Sequence, residues 1–93
     1  MAEFSEMVIE DYLRTPEQRA AFVNEAVAEN DPAFLKIALG CVARAMGMSE
    51  VADKSGLKRE NLYRAFSADG NPTLDTLTAA LGGMGLKIEV VPM

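Results

Sequence analysis

The stretch "KSGLKRENLYRAF", residues 54–66, gathers four of the chain's nine basic residues, Lys54, Lys58, Arg59 and Arg64, into thirteen positions. Side chains of these types engage nucleic acid. Arginine forks onto guanine O6 and N7, asparagine pairs bidentately with adenine, and lysine neutralises phosphate. Arg59 and Arg64 are therefore candidates for guanine, Asn61 for adenine, and Lys54 and Lys58 for phosphate. Tyr63 can touch a thymine methyl or a phosphate. Glu60 can accept from cytosine N4 or orient Arg64 four residues on, and the Ser49 hydroxyl suits a phosphate. The bland alternative is a solvated helix face, because helix–glycine–helix pairs also occur in proteins that touch no nucleic acid.

The overall charge of −5 argues against a polyanionic partner, but it is unevenly distributed. Residues 1–31 hold eight acids and two bases, residues 32–67 six bases and three acids, and residues 68–93 three acids and one base. The balances are −6, +3 and −2. A phosphate backbone responds to the field within a Debye length of about 8 Å, so the middle of the chain is where DNA could dock.

Two short helices must position these groups. In "MSEVADKSGLKRENLYRAFS" (48–67) a first helix is expected from a Ser49 cap to about Lys54 and a second from Lys58 to about Ser67. Gly56 stands where a three-residue turn requires a left-handed backbone, open to glycine at little cost. Val51 and Ala52 face the partner helix, and Leu57, Leu62 and Ala65 pack the second helix down. Setting these aside leaves Lys58, Arg59, Glu60, Asn61, Tyr63 and Arg64 exposed. That is the layout of a helix-turn-helix, whose second helix enters the major groove.

Around this unit the chain reads as one domain with an N-terminal helical extension over 1–31 and a DNA-binding domain over 32–93. "MVIEDYLR" (7–14) makes one or two helical turns. Thr15, Pro16 and Gln18 form a capping box with proline at the first position, launching a helix to about Glu29 with Phe22, Val23, Ala26 and Val27 on its apolar stripe. Asp31 and Pro32 start the next helix, which buries Leu35, Ala38, Leu39, Val42 and Met46 and ends at Gly47. A further helix runs from about Thr73 to Leu81 with Leu74, Leu77 and Leu81 inward, and "GGMG" closes it. The final "LKIEVV" alternates Leu86, Ile88 and Val90 with Lys87 and Glu89, the pattern of a half-buried β-strand. A strand cannot satisfy its ladder alone, so it needs an edge from the N-terminal residues, a second copy or another protein, and Pro92 blocks its extension. A twofold homodimer is the leading expectation.

Several chemistries are excluded. There is no histidine, and the single Cys41 cannot form an internal disulfide, which removes zinc fingers and His-dependent triads. Cys41 sits on an apolar helix face and reads as packing. "GGMG" follows a helix and opens a strand, the reverse of a phosphate loop. Glu10–Asp11 and Glu50…Asp53 pair carboxylates without a pocket-forming context, so no metal, cofactor or enzymatic activity is expected. The N-terminus carries acids where a secretion signal carries cations, and no apolar run is long enough to span a membrane, so a cytoplasmic protein is expected.

"GMSEVADKSGLKRENLYRAFSADGNPTLDTL", and within it the "LYRAFS…GNPTL" spacing, resembles the addiction-module antidote proteins, the HigA-like antitoxins with a Cro/repressor-type helix-turn-helix. The upstream "DYLRTPEQRAAFVNEAVAENDPAFLKIALG" is similar to the extension that family carries, so the resemblance covers nearly the whole chain. It implies a type II toxin–antitoxin module, in which the antitoxin neutralises a RelE/ParE-like toxin and represses its own operon by binding operator DNA. In such sequences a serine often follows the turn leucine and caps the recognition helix; here Lys58 stands instead. The acids at Glu3, Glu6, Glu10, Asp11, Glu17, Glu25, Glu29 and Asp31 would suit a basic toxin, or simply form a solvated face.

The expected protein is thus mainly α, with five or more short helices including a lambda-repressor-like helix-turn-helix and a C-terminal β-strand. It is a homodimer that binds double-stranded operator DNA and a toxin. Its rivals are a stand-alone phage-like transcriptional repressor without a toxin partner and a protein–protein adaptor that no longer reads DNA.

Overall fold

Each helix start in this chain is set by a side chain or a glycine a few residues away. In the computed structural model, which describes residues 12–93, the Thr15 hydroxyl accepts the Gln18 N–H and the Gln18 side chain accepts the Thr15 N–H, both at 3.1 Å. This reciprocal box, with Pro16 at the first position, launches α1 (Pro16–Ala28). Asn30, at φ 56°, takes the left-handed conformation that asparagine tolerates and turns the chain. The Asp31 carboxylate then accepts the Ala33 N–H at 3.0 Å and opens α2 (Pro32–Met46). α3 (Met48–Ser55), α4 (Arg59–Ala65) and α5 (Leu74–Gly83) follow, α5 capped by Thr73 through a 3.1 Å bond from the Thr76 N–H. The protein is mainly α-helical, with five helices among the described residues.

The core is one cluster to which every helix contributes. Val23 of α1, Leu39, Val42 and Ala43 of α2, Met48, Val51 and Ala52 of α3, and Leu62 and Ala65 of α4 meet Ala80, Leu81 and Met84 at the end of α5. Each large side chain taken fully out of water contributes roughly 1.5–3 kcal/mol. α1 packs on α2, and α3 packs on both α2 and α5. The α3–α5 contact is closest at Gly83, where an added β-carbon would lie 2.8 Å from the Val51 carbonyl oxygen and 2.9 Å from Ser55 Cβ. No larger side chain fits there without parting the helices.

Four expectations are corrected. Ser49 does not cap α3: Gly47 ends α2 and begins α3 at once, its carbonyl accepting the Val51 N–H at 3.1 Å, so Ser49 lies within the first turn. Leu74 is not inward but 76% exposed; the buried residues of α5 are Ala80, Leu81 and Gly83, in its last turn. The expected strand does not form: no strand occurs among the described residues, and Ile88 and Val90 are exposed. The described chain offers residues 86–91 no edge to pair with, and an unpaired strand leaves its backbone groups to water. α4 is also shorter than expected, starting at Arg59 and ending at Ala65. Of the expected turns at 7–14, residues 7–11 lie outside the described residues, while Leu13 is buried in the core.

A long-range contact holds the segment after α4. The Lys36 ammonium donates to the carbonyls of Ala68 at 3.0 Å and Gly70 at 2.6 Å. Gly70 in turn passes so close to α4 that a β-carbon would sit 2.2 Å from the Arg64 carbonyl oxygen. Lys36→Met keeps the apolar stem and removes both charge-assisted bonds. It is expected to cost about 1–2 kcal/mol in urea unfolding, at the lower end for charged bonds because the site is partly wet. A change inside the measurement error would mean that the loop holds itself.

Candidate nucleic-acid interface

The eight candidate residues depend on one turn. Gly56 takes φ 77° and ψ 6°, the left-handed conformation, and its N–H donates to the Ala52 carbonyl at 3.0 Å. A side chain here would meet no neighbouring atom, so the requirement for glycine is conformational rather than spatial. The Ser55 hydroxyl braces the same turn, donating to the Ala52 carbonyl at 3.2 Å and accepting the Leu57 N–H at 3.1 Å. Sequence reasoning missed this role, although a serine just before a turn glycine is a recognisable local signal. The Lys58 carbonyl then accepts the Asn61 and Leu62 N–H groups at 3.0 and 3.1 Å, and α4 begins without a side-chain cap.

With about 100° between successive helical residues, Leu62 and Ala65 turn into the core and Glu60, Tyr63 and Arg64 take the opposite face of α4. Arg59 and Asn61 flank that face. All eight candidates, Ser49, Lys54, Lys58, Arg59, Glu60, Asn61, Tyr63 and Arg64, are exposed. Ser49 and Lys54 stand on α3, Lys58 in the connection, and the other five on α4.

The electrostatics of this surface differ from residue to residue. Lys54 pairs with Glu50 at 3.1 Å, one helical turn away, with both side chains at least half exposed. Such a pair is worth about 0–1 kcal/mol, little enough for a phosphate to displace. The Arg59 guanidinium lies 5.9 Å from the centroid of the Tyr63 ring, with Nη2 3.5 Å from the Tyr63 hydroxyl, so the two side chains share one position. Among the described residues Arg64 forms no ion pair with Glu60, and its guanidinium projects without a hydrogen-bonded partner. Lys36, counted with the cationic middle, is tied to the Ala68 and Gly70 carbonyls instead, and no short-range signal announces a bond across more than thirty residues.

The arrangement offers cations, an amide, a phenol and a carboxylate on an open surface. Cys41, the free thiol, is half-buried on α2. Among the described residues no group of carboxylates, Cys or His is placed to hold a metal, and no helix is long and apolar enough to cross a membrane.

Comparison with known proteins gives this geometry a context. Residues 3–92 match the family described as "Probable addiction module antidote protein". A Haemophilus influenzae protein described as "Uncharacterized protein" is 34% identical over 82 residues, covering 88% of this chain and 84% of that protein. No solved structure matches the chain. With nearly its whole length matched, the chain belongs to the probable addiction module antidote protein family.

Proposed function

We propose that this antidote-family chain neutralises a RelE/ParE-like toxin and, as a homodimer, represses its own operon. In this reading α3, the Gly56–Lys58 connection and α4 act as a Cro/repressor-type helix-turn-helix within a DNA-binding unit spanning 32–93. One α4 enters the major groove of each half-site, about 34 Å apart on a palindromic operator. Arg59 and Arg64 read guanine, Asn61 adenine, and Ser49, Lys54 and Lys58 hold phosphates, while Tyr63 and Glu60 meet base edges. The observation that carries the reading is the separation of faces: Val51, Ala52, Leu62 and Ala65 are buried while all eight candidates are exposed. The toxin half rests on the family and on charge. Glu17, Glu25, Glu29 and Asp31 are all exposed, a surface that suits a basic toxin.

Two experiments test these halves separately. The adjacent reading frame is expected to encode a short basic protein, and co-expression with it should restore growth that this product alone arrests; no such product, or unrelieved arrest, sinks the toxin half. A gel shift on the protein's own promoter should show tight binding that falls steeply with salt, and binding no better than to random DNA sinks the repressor half. Lys54→Ala should weaken operator and random DNA alike and reduce the salt slope by about one for each phosphate that Lys54 neutralises. An unchanged slope would leave Lys54 with Glu50 and away from phosphate.

A further inference from the structure

The C-terminal segment carries a pattern that the single chain leaves unused. Beyond Leu86, whose N–H closes α5 on the Leu81 carbonyl at 2.8 Å, the backbone groups of residues 87–91 form no hydrogen bond among the described residues. The apolar residues Ile88 and Val90 are 53% and 89% exposed. Beside them lies a groove of about 790 Å³, walled by this segment and by α1, α2 and α5, with Ala20, Val23, Val27, Leu35 and Leu77 in its lining. Val27, expected on the buried stripe of α1, is half exposed there.

We propose that residues 86–90 pair antiparallel with the same residues of a second copy of this chain, in the register centred on Ile88. It rests on the homodimer of the proposed function and names its interface. Charge selects the register. Centred on Ile88, the ladder sets Lys87 opposite Glu89 of the second copy and Glu89 opposite its Lys87. Ile88 meets Ile88, and Leu86 meets Val90, on the other face. Centring on residue 87 would set Lys87 against Lys87, and centring on 89 would set Glu89 against Glu89. A shift of one residue in one strand would set charged residues against apolar ones. Pro92 has no N–H and ends the pairing. A two-stranded ribbon is marginal alone in water, so its apolar face must be covered, and the α1–α5 groove lies beside it.

The test is the mass of the full chain in solution without DNA, by light scattering and sedimentation equilibrium. The wild type should form a species of twice the 10.0 kDa chain mass. Lys87→Glu and Glu89→Lys should each weaken the dimer about tenfold, because two attractive cross-strand pairs become repulsive. The double variant Lys87→Glu/Glu89→Lys restores opposite charges at both pairs and should return to within about threefold of wild type. An equimolar mixture of the two single variants should form the mixed dimer in preference to either homodimer. Ile88→Lys, at an exposed position, should give a folded monomer by circular dichroism. A monomeric wild type, including one whose segment orders only against another protein, overturns the pairing and leaves the antidote role untouched. A dimer indifferent to the single reversals, or not recovered by the double one, overturns the register. A charge-sensitive dimer that fails to shift operator DNA upholds the interface and sinks only the DNA reading.

Discussion

Leu62→Ala is expected to lower the stability of the protein by about 2–5 kcal/mol, the range for truncating a leucine buried in a close-packed core. Leu62 has no exposed surface and belongs to the core cluster that α2, α3, α4 and α5 share. The effect is magnified by what α4 is: seven residues, no side-chain N-cap, and far too short to persist as an isolated helix. Tertiary packing through Leu62 and Ala65 is what keeps it helical. Domains of this size have about 5–15 kcal/mol in total, so the variant loses a large share of its stability. Urea unfolding measures the loss, and Leu62→Met, which nearly conserves volume, should cost under about 1.5 kcal/mol. A loss below about 1 kcal/mol for alanine would show that α4 is anchored elsewhere. Because the side chains proposed to read DNA ride on this helix, operator affinity should fall with the folded fraction and recover when the variant is stabilised by low temperature.

Arg64→Ala is the complementary experiment, expected to spare stability and remove recognition. The side chain is exposed and makes no ion pair among the described residues, so unfolding should change by no more than about 0.5 kcal/mol. On operator DNA the loss should be about 1–3 kcal/mol, or roughly five- to 150-fold in affinity, with relaxed preference at one base position. Equal losses on operator and random DNA would place Arg64 on phosphate instead. Arg59→Ala should give a similar loss but a less simple one. Removing Arg59 also releases Tyr63, which lies against it, so the Arg59/Tyr63 double variant should fall short of the sum of the singles. Arg64 is therefore the cleaner reporter of base reading.

Nearly all the helix boundaries were legible in the sequence, because they are local. The Thr15–Gln18 box, the Asp31 cap ahead of Pro32, the Thr73 cap and the left-handed Gly56 each act over four residues or fewer. The exposure of Lys58, Arg59, Glu60, Asn61, Tyr63 and Arg64 was legible for the same reason: helical spacing puts Leu62 and Ala65 on one side and Tyr63 and Arg64 on the other. One local signal misled. Ser49 is a good cap by type, yet Gly47 already served both helices, and which of two adequate starts is used depends on how α2 meets α3.

What only the tertiary structure decided is non-local. Lys36 counts toward the cationic middle of the chain, and the fold spends it on carbonyls more than thirty positions away. Leu74 has the spacing of a core residue and remains in solvent, because burial depends on which part of α5 the rest of the fold covers, not on the helical period. The alternation of residues 86–90 is present in the chain, but a β-ladder is a property of two edges, and a single copy supplies one. Sequence by itself determined where this protein is helical and which side chains it displays. Tertiary structure determined which of those charges are free to act, since that turns on contacts between residues far apart along the chain.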